Sequence, residues 1–116
     1  MLVTALSGGV GGAKLILGLS KLLKSGELVV VGNTGDDFDL FGLHISPDLD
    51  IVMYTLAGIA DEVNGWGIRE DTFNCLFALN ENFGLVKWFN LGDKDLATHI
   101  YRTELLKCGY KLSRAT

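Results

Sequence analysis

The sequence feature that most constrains the fold is a glycine-rich stretch near the N-terminus. Four glycines occupy five consecutive positions, 8 to 12, within the segment Ser7–Lys14. An apolar run, Leu2–Leu6, precedes this segment, and the leucine-rich segment Leu15–Leu23 follows it. Glycine has no Cβ, so the backbone can turn sharply and approach a ligand closely. The order therefore predicts a strand, a glycine turn and a helix.

The glycine turn also predicts phosphate binding. Exposed N–H groups at a helix N-terminus and the positive end of the helix dipole both favour a phosphate, and a nucleotide diphosphate is the expected ligand. The reaction stays open, because Lys14 occupies the place of the third glycine of a dinucleotide fingerprint and the Gly-Lys-Ser/Thr sequence of a Walker loop is absent. A strand-to-helix connection without a ligand explains the same glycines.

A second strand defines the fold class. Leu28–Val31 is a continuous apolar run of the kind that is buried on both faces of a parallel sheet. Together with the first strand and helix it predicts a βαβ unit with a right-handed crossover. We therefore expect an α/β fold, a Rossmann-like parallel sheet with flanking helices. Ligands of such sheets bind at the carboxyl ends of the strands, so the glycine turn and the segment Gly32–Asp37 should flank one crevice.

The rest of the chain predicts mainly helices. Ser46 can cap a helix in which Pro47 occupies the first turn. The expected elements are extended structure over Phe38–Ile45, a helix from Ser46 to about Ala57, a loop over Asp61–Arg69, a helix from Glu70 to about Gly84, a short apolar run over Leu85–Leu91 and a helix from Gly92 to Gly109. A further helix begins at Leu112–Ser113 and is not completed. We therefore expect residues 1–116 to be the truncated, N-terminal portion of a Rossmann-like nucleotide-binding domain.

Composition narrows the class of protein. The net charge of −4 argues against wide contact with nucleic acid, and no apolar run reaches membrane-spanning length. The N-terminus lacks the basic region and the cleavage site of a signal peptide, so we expect a cytoplasmic protein without membrane contact. Cys75 and Cys108 lie in helical apolar patterns, which favours buried thiols over a disulfide or metal ligands.

Acidic side chains in the predicted loops are the first candidates for chemistry. Asp36 and Asp37 follow the second strand, where hard oxygen ligands can hold Mg²⁺ against a diphosphate. The same residues also suit an ordinary polar turn. The acids at 48, 50, 93 and 95 fit the first turns of two helices, where they complement the dipole. His44 and His99 have no second histidine or cysteine at ligand spacing, which does not favour zinc.

Five segments in this order resemble one known family. They are Ser7–Lys14, Asn33–Asp37, the segment Ser46–Asp50 with the following Val52–Leu56, Gly65–Gly67, and Trp88–Ile100. The sequence Leu-Gly-Asp-Lys-Asp-Leu-Ala-Thr-His within the last segment is the most specific of them. The combination is similar to the N-terminal part of the 2-phospho-L-lactate transferase family, and the similarity covers essentially the whole chain.

The resemblance implies a Mg²⁺-dependent step in the biosynthesis of coenzyme F-420. A phospholactyl or phosphoenolpyruvyl group would pass from a guanosine diphosphate-linked donor to the terminal ribityl hydroxyl of the deazaflavin Fo, with release of GMP. By similarity, Asp36 and Asp37 lie at the metal and reacting centre, with Asp37 as the first candidate for metal ligand or base. Asp50 lies at the deazaflavin, and Asn90 stands where the family has a basic residue at that ligand. Nucleotide and phosphate contacts are expected from Gly8, Gly9, Val10, Gly11, Gly12, Lys14 and Asn33.

Two other classes stay open from the sequence. One is a nucleotide-sugar-binding regulator of the gluconeogenesis factor type, which resembles the same superfamily through a glycine loop. The other is an NAD-dependent oxidoreductase domain, which the missing acid after the second strand disfavours. Titration with a guanosine diphosphate-linked donor and Fo, with a UDP-sugar, or with NAD would separate them. The sequence does not define the oligomeric state, and a homodimer stays open.

We expect the isolated 116 residues to bind nucleotide weakly and to catalyse poorly. Two parallel strands are too few to cover the apolar faces of about four helices, so apolar area should remain exposed. A site open to water also loses much of the electrostatic advantage that a group transfer needs. GMP release by this chain, compared with that of a longer form, measures the effect, and equal turnover would contradict the expectation.

Overall fold

The computed structural model describes residues 1–85 and 88–116, and the apolar run expected over 85–91 lies partly outside this range. Four short strands and five helices follow one another along the described chain. They are β1 (Val3–Ser7), α1 (Val10–Leu22), β2 (Leu28–Gly32), β3 (Phe38–Leu40), β4 (Leu43–Ile45), α2 (Pro47–Leu56), α3 (Asn74–Phe83), α4 (Asp93–Lys107) and α5 (Leu112–Ala115).

The two predicted strands pair in parallel, which confirms the α/β fold class. The register runs from Val3 opposite Leu28 to Ser7 opposite Gly32. Beyond the last pair, the Asn33 N–H donates to the Ser7 carbonyl at 2.8 Å, so the two strands are still joined where their loops begin. Helices α1 and α2 pack against each other and against one face of this sheet. The core between them consists mainly of Ala5, Ala13, Ile16, Ile51, Val52, Tyr54 and Ala60.

The opposite face of the β1–β2 sheet is open. Leu6 is 79% exposed, and Val29 and Val31 are 44% and 50% exposed. The expectation that Leu28–Val31 is buried on both faces is therefore wrong for this chain, because both packing helices lie on the same side. The expectation that apolar area would stay exposed is confirmed.

The segment expected only as extended structure forms an antiparallel hairpin. Strand β3 pairs with β4 in the register Phe38 opposite Ile45 and Leu40 opposite Leu43. Phe41 and Gly42 form the two-residue turn with φ values of +53° and +75°. Positive φ at both positions is typical of the turn whose twist matches a tight hairpin. The hairpin brings β4 against α4, the contact on which the candidate site depends.

Helices α3 and α4 cap each other. The Asp93 carboxylate, in the first turn of α4, accepts hydrogen bonds from the N–H groups of Asn74 and Cys75 at the start of α3 and from the Thr72 hydroxyl. The Asp71 carboxylate accepts hydrogen bonds from the N–H groups of Lys94 and Asp95 at the start of α4. The hydrogen bonds to Asp93, the one from Thr72 first, lower its pKa to about 2. Helix α3 consequently begins at Asn74, later than the predicted Glu70.

Two local expectations are corrected. Cys75 and Cys108 are free thiols, but both are exposed, since Cys75 lies in the first turn of α3 and Cys108 at the C-cap of α4. Ser46 does stand at the N-cap of α2, but its hydroxyl makes no capping hydrogen bond. That hydroxyl donates instead to the Asp37 carboxylate at 2.8 Å, because β4 delivers it to the candidate site.

Across residues 1–85 and 88–116, no helix combines the length and the apolar character needed to span a membrane.

Candidate functional site

The glycine turn connects β1 to α1 as predicted. Gly9 is the N-cap of α1, and its carbonyl accepts the Ala13 N–H at 2.9 Å. A Cβ on Gly12 would clash with the Ser7 Oγ and lie 3.3 Å from the Ser7 Cα, so Gly12 allows the helix to approach the strand. A Cβ on Gly8 or Gly11 would meet no atom within 4 Å. Packing thus accounts for Gly12, while Gly8 and Gly11 border open space.

An open cleft of about 380 Å³ lies at the carboxyl ends of β1 and β2. It is lined by Leu6, Ser7, Gly8, Val31, Gly32 and Asn33. The strand pairing therefore brings the glycine turn and the Gly32–Asp37 loop to one crevice, as the sequence predicted. Lys14 lies further along α1 and lines a different cavity of about 50 Å³, together with Val10, Asp61, Glu62 and Gly65.

Asn33 links the cleft to acidic side chains. Its Nδ2 donates to the Asp48 carboxylate at 2.7 Å and to the Asp36 carboxylate at 3.2 Å. The Asp48 Oδ1 lies 3.2 Å from the position that a Cβ on Gly9 would take. The glycine turn, Asn33, Asp36 and Asp48 therefore form one continuous surface. The sequence suggested only a first-turn role for Asp48, because nothing in it indicated that α2 begins beside the glycine turn.

Only one of the two carboxylate oxygens of Asp37 has hydrogen-bond partners among the described residues. Its Oδ2 accepts a hydrogen bond from the Ser46 hydroxyl at 2.8 Å and lies 3.0 Å from the His44 Nε2. The other oxygen, Oδ1, is buried and has no hydrogen-bond partner among the described residues. The His44 Nδ1 in turn lies 3.3 Å from the Asp39 Oδ1. A buried carboxylate oxygen without a donor is costly unless a cation or a ligand satisfies it.

Asp50 lies in a buried cluster between α2 and α4. Its carboxylate forms a two-point ion pair with the Arg102 guanidinium, and the Arg102 Nη1 lies 3.4 Å from the His99 Nδ1. Burial raises the pKa of Asp50, and the Arg102 charge and hydrogen bonds oppose that rise. The Tyr54 hydroxyl donates to the Asp95 Oδ1 at 2.6 Å. Burial, followed by the charge of Asp95, strongly raises the pKa of Tyr54, which keeps the phenol protonated.

A cavity of about 80 Å³ borders this cluster. Its lining combines Asp50, Asp95 and His99 with the aromatic side chains of Tyr54, Trp66 and Phe89. Asn90 is exposed and stands two residues before Gly92, the N-cap of α4. Asp50 is thus part of an aromatic-lined pocket, whereas Asn90 lies on the surface next to Leu91, which is buried.

Asp50, Asp95 and His99 are also placed as metal ligands could be. One donor atom of each lies within 4.8 Å of the others, and the three are buried. The Arg102 guanidinium, however, already binds Asp50 and faces His99, and its positive charge disfavours a dication there. Asp36 and Asp37 form no ion pair with a lysine or an arginine among the described residues, although the His44 imidazole lies beside Asp37, and they are the better candidates for Mg²⁺.

Sequence reasoning missed the residues that support the carboxylates. His44, Arg102 and Thr103 were assigned no role, Ser46 only that of a helix cap, and Asp95 only that of a first-turn charge. The missed signal was the spacing of His99, Arg102 and Thr103, which places polar side chains on one face of α4 among apolar ones. Buried polar groups on a helix face indicate partners elsewhere, but the pattern does not identify them.

The family comparison agrees with the geometry. The family model described as 2-phospho-L-lactate transferase CofD matches residues 3–116. The phosphoenolpyruvate transferase of Streptomyces avermitilis is 47% identical over 116 residues. The proteins of the same name from Thermobifida fusca and Mycobacterium tuberculosis are 46% identical over 124 residues and 44% identical over 129 residues. Each of these alignments covers 100% of this chain.

The chain belongs to the CofD family of 2-phospho-L-lactate transferases. It spans 36% of the length of the Streptomyces avermitilis relative and 39% of that of the Mycobacterium tuberculosis relative. Membership confirms the family resemblance drawn from the five sequence segments. It also favours a transferase over the two other classes that the sequence left open.

Proposed function

We propose that this chain forms the donor-binding part of a transferase of coenzyme F-420 biosynthesis. The reaction would move a phosphoenolpyruvyl or phospholactyl group from a guanosine diphosphate-linked donor to the deazaflavin Fo. The name of the relatives, phosphoenolpyruvate transferase, supports the enolpyruvyl form of the donor. The observation that carries the proposal is that the glycine turn and the start of the acidic loop line one cleft, and that Asp37 of the same loop has a buried carboxylate oxygen without a partner among the described residues.

The glycine turn would hold the phosphates of the donor. Gly8 and Gly11 border open space, and the N-terminus of α1 directs its N–H groups and its positive dipole end to the same side. In the proposed reaction, the Fo hydroxyl oxygen forms a bond to the phosphorus that carries the lactyl or enolpyruvyl group. The bond from that phosphorus to the GMP oxygen breaks in line with it, and GMP leaves.

Asp36 and Asp37 are the proposed Mg²⁺ ligands. The buried Asp37 Oδ1, which has no hydrogen-bond partner in residues 1–85 and 88–116, fits a cation, since a carboxylate oxygen is a hard ligand. When bound, Mg²⁺ would neutralise the diphosphate, which otherwise faces the carboxylates of Asp36 and Asp48. His44 and Ser46 hold the second oxygen of Asp37 and fix the direction of the first. Asp37, and next Asp36, is also the candidate that accepts the proton of the attacking hydroxyl.

The aromatic-lined cavity is the proposed acceptor side. Trp66 and Phe89 line it beside Asp50, and flat aromatic side chains suit the ring of a deazaflavin. Asn90 lies on the surface nearby in sequence, so its contact with Fo stays a proposal. Burial of Asp50 against Arg102 limits that carboxylate to an edge contact with a ligand in the cavity.

The variant Gly11→Ala tests whether the glycine turn binds the phosphates of the donor. A methyl group at residue 11 meets no protein atom, so the variant should fold as stably as the parent. The same methyl would occupy the proposed phosphate position. We expect GDP binding, measured by calorimetry with Mg²⁺ present, to weaken by at least about tenfold, which corresponds to about 1.4 kcal/mol.

Gly18→Ala is the matched control for that variant. Residue 18 lies on the same helix, also borders open space and gains the same helix propensity, but it is distant from the turn. We expect its GDP affinity to equal that of the parent. Equal affinity in Gly11→Ala as well would show that the loop does not bind the phosphates.

The transfer itself is best assayed in a hybrid enzyme. In it, this chain replaces the aligned segment of the Streptomyces avermitilis relative, to which it is 47% identical. Release of GMP in the presence of donor, Fo and Mg²⁺ would support the proposal. A hybrid that folds, binds the donor and releases no GMP would contradict it.

A further inference from the structure

Helix α4 is connected to both candidate carboxylates through one short segment, directly to Asp50 and by way of His44 to Asp37. Arg102 and Thr103 are adjacent in sequence and both are buried. The Arg102 guanidinium binds the Asp50 carboxylate, and its Nη1 also donates to the His44 carbonyl at 3.3 Å. The Thr103 Oγ1 accepts the His44 N–H at 2.8 Å. Both polar groups of the His44 backbone are therefore held by α4.

The side chain of His44, whose backbone is held in this way, contacts Asp37. Its Nε2 lies 3.0 Å from the Asp37 Oδ2, to which the Ser46 hydroxyl also donates. The Ser46 carbonyl accepts the Asp50 N–H at 3.0 Å at the start of α2. The contacts thus close a ring that runs from Asp37 through His44 to Arg102, on to Asp50, and back through Ser46.

We propose that Arg102 and Thr103 are positioning residues that hold Asp37 and Asp50 in a fixed relation by binding the His44 backbone. This inference rests on the proposed function, which assigns Asp37 to the metal and Asp50 to the acceptor. Neither residue touches a substrate in this proposal. They act through His44 and Asp50, as outer residues often do around a metal ligand.

The contacts predict different effects for the two residues. Thr103 is connected to Asp37 only, by way of His44. Its hydroxyl accepts the His44 N–H and donates to the His99 carbonyl at 2.7 Å within its own helix. Arg102 is connected to both carboxylates, because it binds the His44 carbonyl, and through it Asp37, as well as the Asp50 carboxylate. A general loss of packing would instead weaken ligand binding at Asp37 and at Asp50 together, whichever of the two residues is replaced.

The test uses the full 116-residue chain and two ligands. Mn²⁺ affinity, measured by electron paramagnetic resonance, reports on Asp37, and quenching of Fo fluorescence reports on the Asp50 pocket. We expect Thr103→Val to weaken Mn²⁺ binding by about tenfold while Fo affinity stays within about twofold. Arg102→Lys keeps the charge but not the two-point geometry, so we expect it to weaken both ligands.

Two further variants serve as controls. Thr103→Ser keeps the hydroxyl and should restore Mn²⁺ affinity to the parent value. Thr116→Val removes a hydroxyl that, like that of Thr103, donates to the carbonyl four residues earlier, here that of Leu112, but does not contact His44. It should change neither affinity. If Thr103→Val does not fold, Thr103→Ala is used, since its shorter side chain admits water to the His44 N–H.

The outcomes separate this proposal from the proposed function. Unchanged Mn²⁺ affinity in Thr103→Val, or equal weakening of both ligands in proportion to the loss of thermal stability, would overturn the positioning role. A parent chain that binds neither ligand would overturn the proposed function instead. In that case the ¹⁵N shifts of the His44 ring still decide the inference. They should move in Thr103→Val and return in Thr103→Ser, and unchanged shifts would overturn it.

Discussion

Replacement of Arg102 by methionine is expected to lower the free energy of unfolding by about 3–5 kcal/mol. The reason is that Asp50 would keep its burial and lose the guanidinium that forms a two-point ion pair with it, with only the His99 ring left nearby, 3.6 Å from its carboxylate. Methionine retains the packing of the arginine stem, so the change removes the guanidinium charge and its hydrogen bonds to Asp50 and the His44 carbonyl but little packing. Urea unfolding followed by circular dichroism, at equal slope for both proteins, measures the difference.

The pH dependence of that loss has a defined sign. Burial already raises the pKa of Asp50, and the loss of Arg102 would raise it further. A carboxyl group whose pKa is higher in the folded state destabilises the fold as pH rises through the interval between the unfolded and folded values. The deficit of Arg102→Met should therefore be smaller at pH 4 than at pH 7.5.

A double variant supplies the control. In Arg102→Met combined with Asp50→Leu, no buried charge is left without a partner, and most of the lost stability should return. If the double variant is as unstable as Arg102→Met, the loss comes from packing on α4 or from the lost hydrogen bond to the His44 carbonyl, and not from the unpaired Asp50 charge. A Thr116→Val chain sets the baseline for a change that is remote from the cluster.

Replacement of Asp37 by asparagine is expected to lower Mg²⁺ affinity by at least about 100-fold, because loss of a partner of a metal ligand alone costs about 10- to 100-fold. The fold should survive, since an amide oxygen can still accept from Ser46, which donates to the Asp37 Oδ2. The amide NH₂ would then replace the free Oδ1 and repel a cation. Transfer by the hybrid enzyme should fall by a similar factor.

Asp39→Asn is the matched control for Asp37→Asn. Asp39 is exposed and contacts the other nitrogen of the same imidazole, so the substitution removes an equal charge next to His44. We expect Mg²⁺ affinity and turnover to stay near the parent values. Unchanged turnover and Mg²⁺ dependence in Asp37→Asn would contradict its role as metal ligand or base.

Local signals in the sequence were sufficient for the framework of the cleft. The glycines at 8–12, the apolar run before them and the apolar run at 28–31 led to a parallel strand pair with a helix between, and the structure has both. The placement of the 33–37 loop beside the glycine turn followed from the rule that parallel strands end at one edge. These features depend on residues close together in the chain, where backbone geometry has few alternatives.

Contacts between distant segments were not accessible from such signals. Asp50 and Arg102 are 52 residues apart, and His44 and Thr103 are 59 apart. A carboxylate in the first turn of a helix looks the same in sequence whether it is solvated, as a dipole-complementing charge would be, or buried against an arginine. The expected first-turn roles of Asp50 and Asp95 were for this reason incomplete.

By itself, the sequence determined the βαβ unit, the glycine turn at a strand end, the helix ends near Ala57, Gly84 and Gly109, and the family, because each is encoded in a contiguous pattern. Only the tertiary structure decided which carboxylates are buried, which nitrogen holds each of them, and which face of the β1–β2 sheet stays open. Burial and charge pairing depend on the packing of α4 against the β3–β4 hairpin and α2. That packing is a property of the whole fold, because it places side chains in contact that no local spacing connects.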